Sequence, residues 1–147
     1  MKKIFFSMVT LMLIVSSAIA QTTGSDKVLG LWLSEKKDAK IEIFKSGDKY
    51  SGKLIWGTEM YEADGKTSLK DTKNPDVALL TRTRLNLVII SGLIYDDGTY
   101  NDGHLYDARS GRTYSLKMKL KADNNLEMRG YYGISLFGQT MEWTRVK

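Results

Sequence analysis

The chain has 147 residues, a formal charge of +5 from 22 basic and 17 acidic side chains, one histidine and no cysteine. The missing thiols exclude disulfides, lipid attachment at cysteine and thiolate chemistry, so stability must come from packing. Basic residues alternate with acids, which argues against the clustered footprint that nucleic acid requires.

Residues 1–20, MKKIFFSMVTLMLIVSSAIA, combine two lysines, an apolar run from Ile4 to Val15, and small residues with Ala18 and Ala20 placed for cleavage. This is the pattern of a secretory signal peptide. The run falls short of the roughly 20 apolar residues that a membrane-spanning helix needs, and no later segment supplies one. Cleavage after Ala20 predicts a periplasmic or secreted product of 127 residues, 21–147, with charge +3 because Lys2 and Lys3 leave with the leader. A chain of that size is one domain around one core.

Beyond the leader there is no sustained helical period. Short runs of apolar and polar alternation are bounded by Gly, Asp and Asn instead, which predicts an all-β domain. Strands are expected at 28–34, 39–45, 49–57, 85–95, 99–107, 112–120, 125–131 and 139–146. Connectors such as EKKD, SGD, DDG, ARSG and ADN suit hairpin turns, so consecutive strands should be antiparallel neighbours. Eight strands in a meander remove their unpaired edges by closing, which predicts an up-and-down barrel with Gly92 and Gly130 as candidate bends.

Alternation then assigns faces. Tyr114, Leu116, Met118 and Leu120 are expected inside, as are Ile41, Ile43, Leu54, Trp56, Met141, Trp143 and Arg145. An inward guanidinium needs an aromatic face and oxygen acceptors, and Trp32 on the first strand can meet Arg145 on the last only if the barrel closes. With Trp32, Trp56, Trp143, Tyr114 and Met118 inside, and Gly52 and Gly130 giving some space back, the interior is expected to be narrow and partly filled.

The long gap between the third and fourth strands holds DTKNPDVALLTR, with the chain's single proline. Asn74 as a side-chain cap, Pro75 in the first turn and Asp76 at the positive end predict a short helix over about Pro75 to Arg82. Its Val77, Leu79 and Leu80 should lie on one barrel end as a plug or as a gate.

Gly30 and Trp32 on the first strand with Arg145 on the last resemble the signature pair of the calycins, the lipocalin-like barrels. Nearly the whole chain after residue 20 is similar to the secreted bacterial domain-of-unknown-function family 2147. The resemblance is carried by GLWL, AKIEIFKSGDKYSGKLIW, KNPD with Arg82, YDARSGRTYSLKMKL and LEMRGYYGISLFGQTMEWTRV. It implies a lipocalin-like barrel in the bacterial envelope and no established activity. Some members carry cysteines flanking the GDKY turn, where this chain has Ser46 and Ser51.

A single histidine leaves little for a metal centre or a nucleophilic triad, and His104 is read as a rim or surface residue. Asp96, Asp97, Asn101 and Asp102 lack calcium-loop spacing and are read as a turn followed by a bend. Asp64, Asp71 and Asp76 offer a third reading, a hydrolase built on the insert. The functional expectation is a non-catalytic binding protein for a small, mainly apolar ligand, without metal or cofactor. Its contacts are expected from Trp56, Tyr114 and Met118 inside and from Tyr61 and Arg82 at the mouth, with Trp32 and Arg145 serving stability. The alternative is a filled barrel that contacts an envelope protein, for which the aromatic connector 130–138 is the candidate surface.

Overall fold

The computed structural model describes residues 23–147, so the leader lies outside the described residues. Eight strands follow in order: β1 (Gly30–Ser34), β2 (Ala39–Ser46), β3 (Lys49–Gly57), β4 (Val88–Asp96), β5 (Thr99–Asp107), β6 (Arg112–Ala122), β7 (Asn125–Tyr131) and β8 (Gln139–Arg145). Each pairs antiparallel with the next, and β1 pairs with β8 through Trp32↔Arg145, Leu33↔Thr144 and Ser34↔Trp143, which closes the barrel. Closure leaves no edge strand, as a meander with such short turns demands.

One half of the interior is solid. Trp32, Ile41, Ile43, Tyr50, Ile90, Leu93, Tyr100, Leu116, Met118, Leu126 and Met128 are essentially inaccessible to water. Gly103 lies so close beneath Leu93 that a Cβ would not fit. A 3-10 turn, Gly24–Val28, crosses this end and drives Val28 into the core. The turn is latched from below: the Tyr50 hydroxyl donates to Asp26 Oδ1 at 2.6 Å, and the Tyr100 hydroxyl to the Ser25 carbonyl at 2.6 Å.

Arg145 finds the surroundings that an inward guanidinium requires. Its Cζ lies 4.3 Å from the centroid of the Trp32 ring. Nε donates to the Asp123 carbonyl at 2.8 Å, Nη1 to Leu29 at 2.8 Å, and Nη2 to Lys27. Trp32 Nε1 donates to the Val28 carbonyl at 2.9 Å, so one stacked pair ties both chain ends to the closing turn. Gly30 belongs to the same device. Its φ of +120° is left-handed, and a Cβ there would stand 3.3 Å from Arg145 Nη1.

Three expectations need correction. Trp56 lies outside the barrel. Ile41 pairs with Leu54 while Lys40 pairs with Trp56, so β3 carries one extra residue, Ile55, and a bulge reverses the faces beyond it. Trp56 thus sits on the outer surface with Lys40 Nζ 5.9 Å from its centroid. A second bulge falls where it was expected, between Ile90 and Leu93 against β3, around Gly92 with φ +75°.

The expected helix at Pro75–Arg82 is a single 3-10 turn, Val77–Leu79. Its cap is Asp76, whose side chain accepts from the Ala78 amide at 3.0 Å. Asn74 is turned elsewhere: Oδ1 accepts from the Asp76 amide, while Nδ2 donates to Asp71 and to the Tyr106 hydroxyl.

The insert does not plug the barrel either. Val77 is 79% exposed, and the segment packs beside the mouth through the buried Met60, Asp71 and Leu87. Two isolated bridges, Tyr61↔Ser68 and Lys70↔Thr83, hold it as a compact loop.

Candidate functional site

The half of the barrel opposite the Gly24–Val28 turn is open. A recess of about 920 Å³ enters there between the end of β3, the start of β4, the end of β5 and the starts of β6 and β8. Leu54, Ile89, Leu105, Tyr114, Met141 and Trp143 form its apolar lining, and Gly130 leaves room among them. A Cβ at Gly130 would meet only Leu105 Cδ2 at 3.7 Å and Met141 Cε at 3.8 Å, so the missing side chain widens the space. The rim is polar, built from Ser34, Asp38, Thr58, Glu59, Asp107 and Arg109.

The rim is braced by ion pairs and by one arginine. Arg109 Nη1 meets Glu59 Oε2 at 3.1 Å and its Nε meets Asp107 Oδ1 at 3.2 Å. Burial pushes the Asp107 carboxyl up, but hydrogen bonds from the Arg109 amide, Ser110 and the Arg109 side chain outweigh it and hold the group below its usual value. Arg84 donates to the carbonyls of Lys70, Glu59 and Ala108, stitching the insert to the β5–β6 turn. Arg84, Arg109, Glu59 and Asp107 are thus each engaged with protein partners.

A second polar cluster lies behind the wall. Asp71 is fully buried, accepting from the Tyr106 hydroxyl at 2.6 Å, Arg82 Nε at 2.8 Å and Asn74 Nδ2 at 2.9 Å. Burial alone would raise its carboxyl, yet these bonds and the Arg82 charge hold it below the ordinary carboxylate value. Tyr106 moves the other way, pushed up by burial and then by the Asp71 carboxylate. Arg82 also lies over the Tyr106 ring at 5.6 Å. Because Tyr106 lines the recess, the cluster fixes one wall of it from outside.

The five residues expected at the site therefore separate. Tyr114 lines the recess. Met118 belongs to the solid half, Trp56 to the outer face, and Arg82 to the Asp71 cluster. Tyr61 lies in the insert, bridged to Ser68 and away from the lining. Met60, Leu105 and Tyr106 were not anticipated, whereas period-2 alternation turns Met141 and Trp143 inward and leaves interior space at Gly130, as the recess lining has them.

His104 is exposed on β5, and Asp97 and Gly98 form the β4–β5 turn with positive φ. Among the described residues no three His, Cys, Asp or Glu side chains converge to hold a metal ion.

The connector between β7 and β8 stands at the mouth. Tyr132, Ile134, Leu136 and Phe137 are 58–78% exposed. Arg129 folds the segment back by donating to Ser135 O at 2.7 Å, Leu136 O at 3.2 Å and Thr140 Oγ1 at 2.7 Å. Tyr132 packs edge-on against Tyr114 with centroids 5.6 Å apart, so the connector touches the recess lining directly.

The family model described as "Uncharacterized protein conserved in bacteria (DUF2147)" matches residues 30–145. Among solved structures, protein HP1028 from Helicobacter pylori, described as belonging to the lipocalin family, is 25% identical with a TM-score of 0.71. The match covers 82% of this chain and 83% of that one. No curated protein matches the chain significantly.

Proposed function

The chain belongs to the bacterial family DUF2147 and folds as a lipocalin-like barrel, and from that premise we propose a non-catalytic envelope protein that binds a small, mainly apolar molecule. One observation carries the reading: a barrel solid at one end opens at the other into a recess of about 920 Å³ with an apolar lining. That is within the size range of sites that enclose small organic molecules. The lipocalin likeness points to binding of small molecules in the same general way. Residence in the envelope rests on residues 1–20, whose sequence has the form of a cleavable export signal.

Gly130→Leu tests the site. The new side chain would project between Leu105 and Met141 without displacing backbone. Binding of the neutral fluorescent probe N-phenyl-1-naphthylamine should weaken by about tenfold or more, since the volume it needs is taken, while the folded barrel is retained. Equal binding by both proteins would remove the recess as the site.

A second reading is favoured by the connector alone. Four large apolar side chains exposed within six residues, Tyr132 to Phe137, form a patch of the kind that contacts a protein partner. Cross-linking from residues 132–137 to one defined envelope protein, with no probe binding, would put that reading first.

A further inference from the structure

The connector between β7 and β8 carries apolar side chains that the barrel does not bury. Ile134 and Leu136 are 58% and 77% exposed, and neither lines the recess. Tyr132 and Phe137 are 69% and 78% exposed and stand at its mouth. Arg129 holds the segment in this posture through the carbonyls of Ser135 and Leu136 and the Thr140 hydroxyl. Four such side chains within six residues gain free energy when something removes them from water.

The charge beside the connector selects the partner. Ser135 also borders a shallow groove on the outer wall, lined by Lys117, Lys119 and Arg129 with Glu127 as its one carboxylate. Glu127 is paired with Lys121 at 3.6 Å. The donors of Arg129 go to neutral oxygens, and Lys117 lies 5.8 Å from the centroid of the neutral Tyr131 ring. Among the described residues Lys117, Lys119 and Arg129 make no ion pair. Glu142, opposite Glu127 on β8, and the exposed Asp102 on β5 do not line the groove. Across the mouth the balance reverses, with Glu35, Asp38, Glu59 and Asp107 against Lys36, Arg84 and Arg109. An anionic surface is therefore attracted to the β6–β7 side alone. Apolar side chains for the acyl region, a tyrosine for the boundary and cations for phosphates are the parts of an interfacial anchor.

We infer that residues 132–137, with Lys117, Lys119 and Arg129, dock the protein on an anionic phospholipid bilayer. Ile134 and Leu136 enter the acyl boundary while the cations meet phosphate groups. Docked this way the mouth lies against lipid, and an apolar guest passes between bilayer and recess without crossing water. That consequence, unlike the docking itself, rests on the recess being the binding site proposed above.

The test uses residues 21–147, because the apolar run of residues 1–20 would bind lipid by itself and all eight strands lie beyond it. Phosphatidylcholine vesicles with about 30% phosphatidylglycerol should sediment the protein, phosphatidylcholine alone should not, and about 0.5 M sodium chloride should release it. Ile134→Ser combined with Leu136→Ser should weaken vesicle binding about tenfold or more, because two apolar side chains no longer leave water. Lys117→Gln combined with Lys119→Gln should do the same, each cation near an anionic surface being worth about fivefold. All four positions are exposed, so both variants should keep the circular dichroism of the wild type. Their binding of N-phenyl-1-naphthylamine without vesicles should also be unchanged.

No sedimentation with anionic vesicles, equal sedimentation with neutral ones, or either double variant binding as the wild type would each overturn the docking. Cross-linking of residues 132–137 to one envelope protein, with no vesicle binding, would overturn it and give the patch to that partner. Vesicle binding by a protein that takes up no probe would uphold the docking and remove the carrier reading.

Discussion

Replacing Trp32 by alanine attacks the joint on which barrel closure depends. The ring is fully buried, stacks on Arg145 at 4.3 Å, and satisfies the Val28 carbonyl through Nε1. Loss of a buried tryptophan costs about 3–5 kcal/mol, because transfer energy and a cavity add together. The orphaned Val28 carbonyl adds about 1 kcal/mol. The total of about 4–6 kcal/mol is a large fraction of the roughly 5–15 kcal/mol that holds an ordinary domain together.

Urea unfolding followed by far-ultraviolet circular dichroism measures this without relying on the removed fluorophore. The midpoint should fall sharply with an unchanged slope, and the melting temperature should drop by about 15 °C or more. Trp32→Phe keeps most of the ring and loses the N–H, so about 1–2 kcal/mol is expected. A Trp32→Ala protein within about 1 kcal/mol of wild type would refute the closed joint between β1 and β8.

Two further substitutions separate buried structure from surface. Asp71→Asn should destabilise by about 2–3 kcal/mol at neutral pH, because the buried carboxylate holds Arg82, Tyr106 and Asn74 together. The folded-state value of this group lies below the ordinary 3.8, so its contribution is complete above that pH and is lost as pH falls through the folded value. Urea midpoints of wild type and variant should therefore converge in acid, and a gap that persists undiminished there would contradict the assignment. Trp56→Ala should cost only about 1 kcal/mol, since the ring lies on the outer face beside Lys40. A loss matching that of Trp32→Ala would mean that Trp56 is inside after all.

How far the sequence revealed this arrangement depends on the range of the interaction that decides each element. Turns and alternation are local, so the eight strands lie within a few residues of their expected positions, and the Trp32–Arg145 contact follows from closure. Trp56 was misplaced because Leu54, Ile55 and Trp56 are all apolar and fit either parity. Only pairing with β2 shows that Ile55 is the extra residue.

In the insert, Asn-Pro-Asp is a sound local helix start, yet Asn74 is recruited by Asp71 and by Tyr106, 32 residues away. That partnership leaves no trace in the sequence around it. The recess was half legible: alternation turned Tyr114, Met141 and Trp143 inward, whereas Leu105 and Met60 join them only through three-dimensional assembly.

The central claim is that the open half of this barrel carries a small molecule. It is tested most directly by native mass spectrometry of the protein purified without detergent from the cells that make it, beside the Gly130→Leu variant prepared identically. The account predicts a reproducible added mass of about a few hundred daltons on the wild type, suited to a recess of this size, and its loss from the variant. A bare polypeptide mass for both proteins, or the same added mass on both, would contradict it.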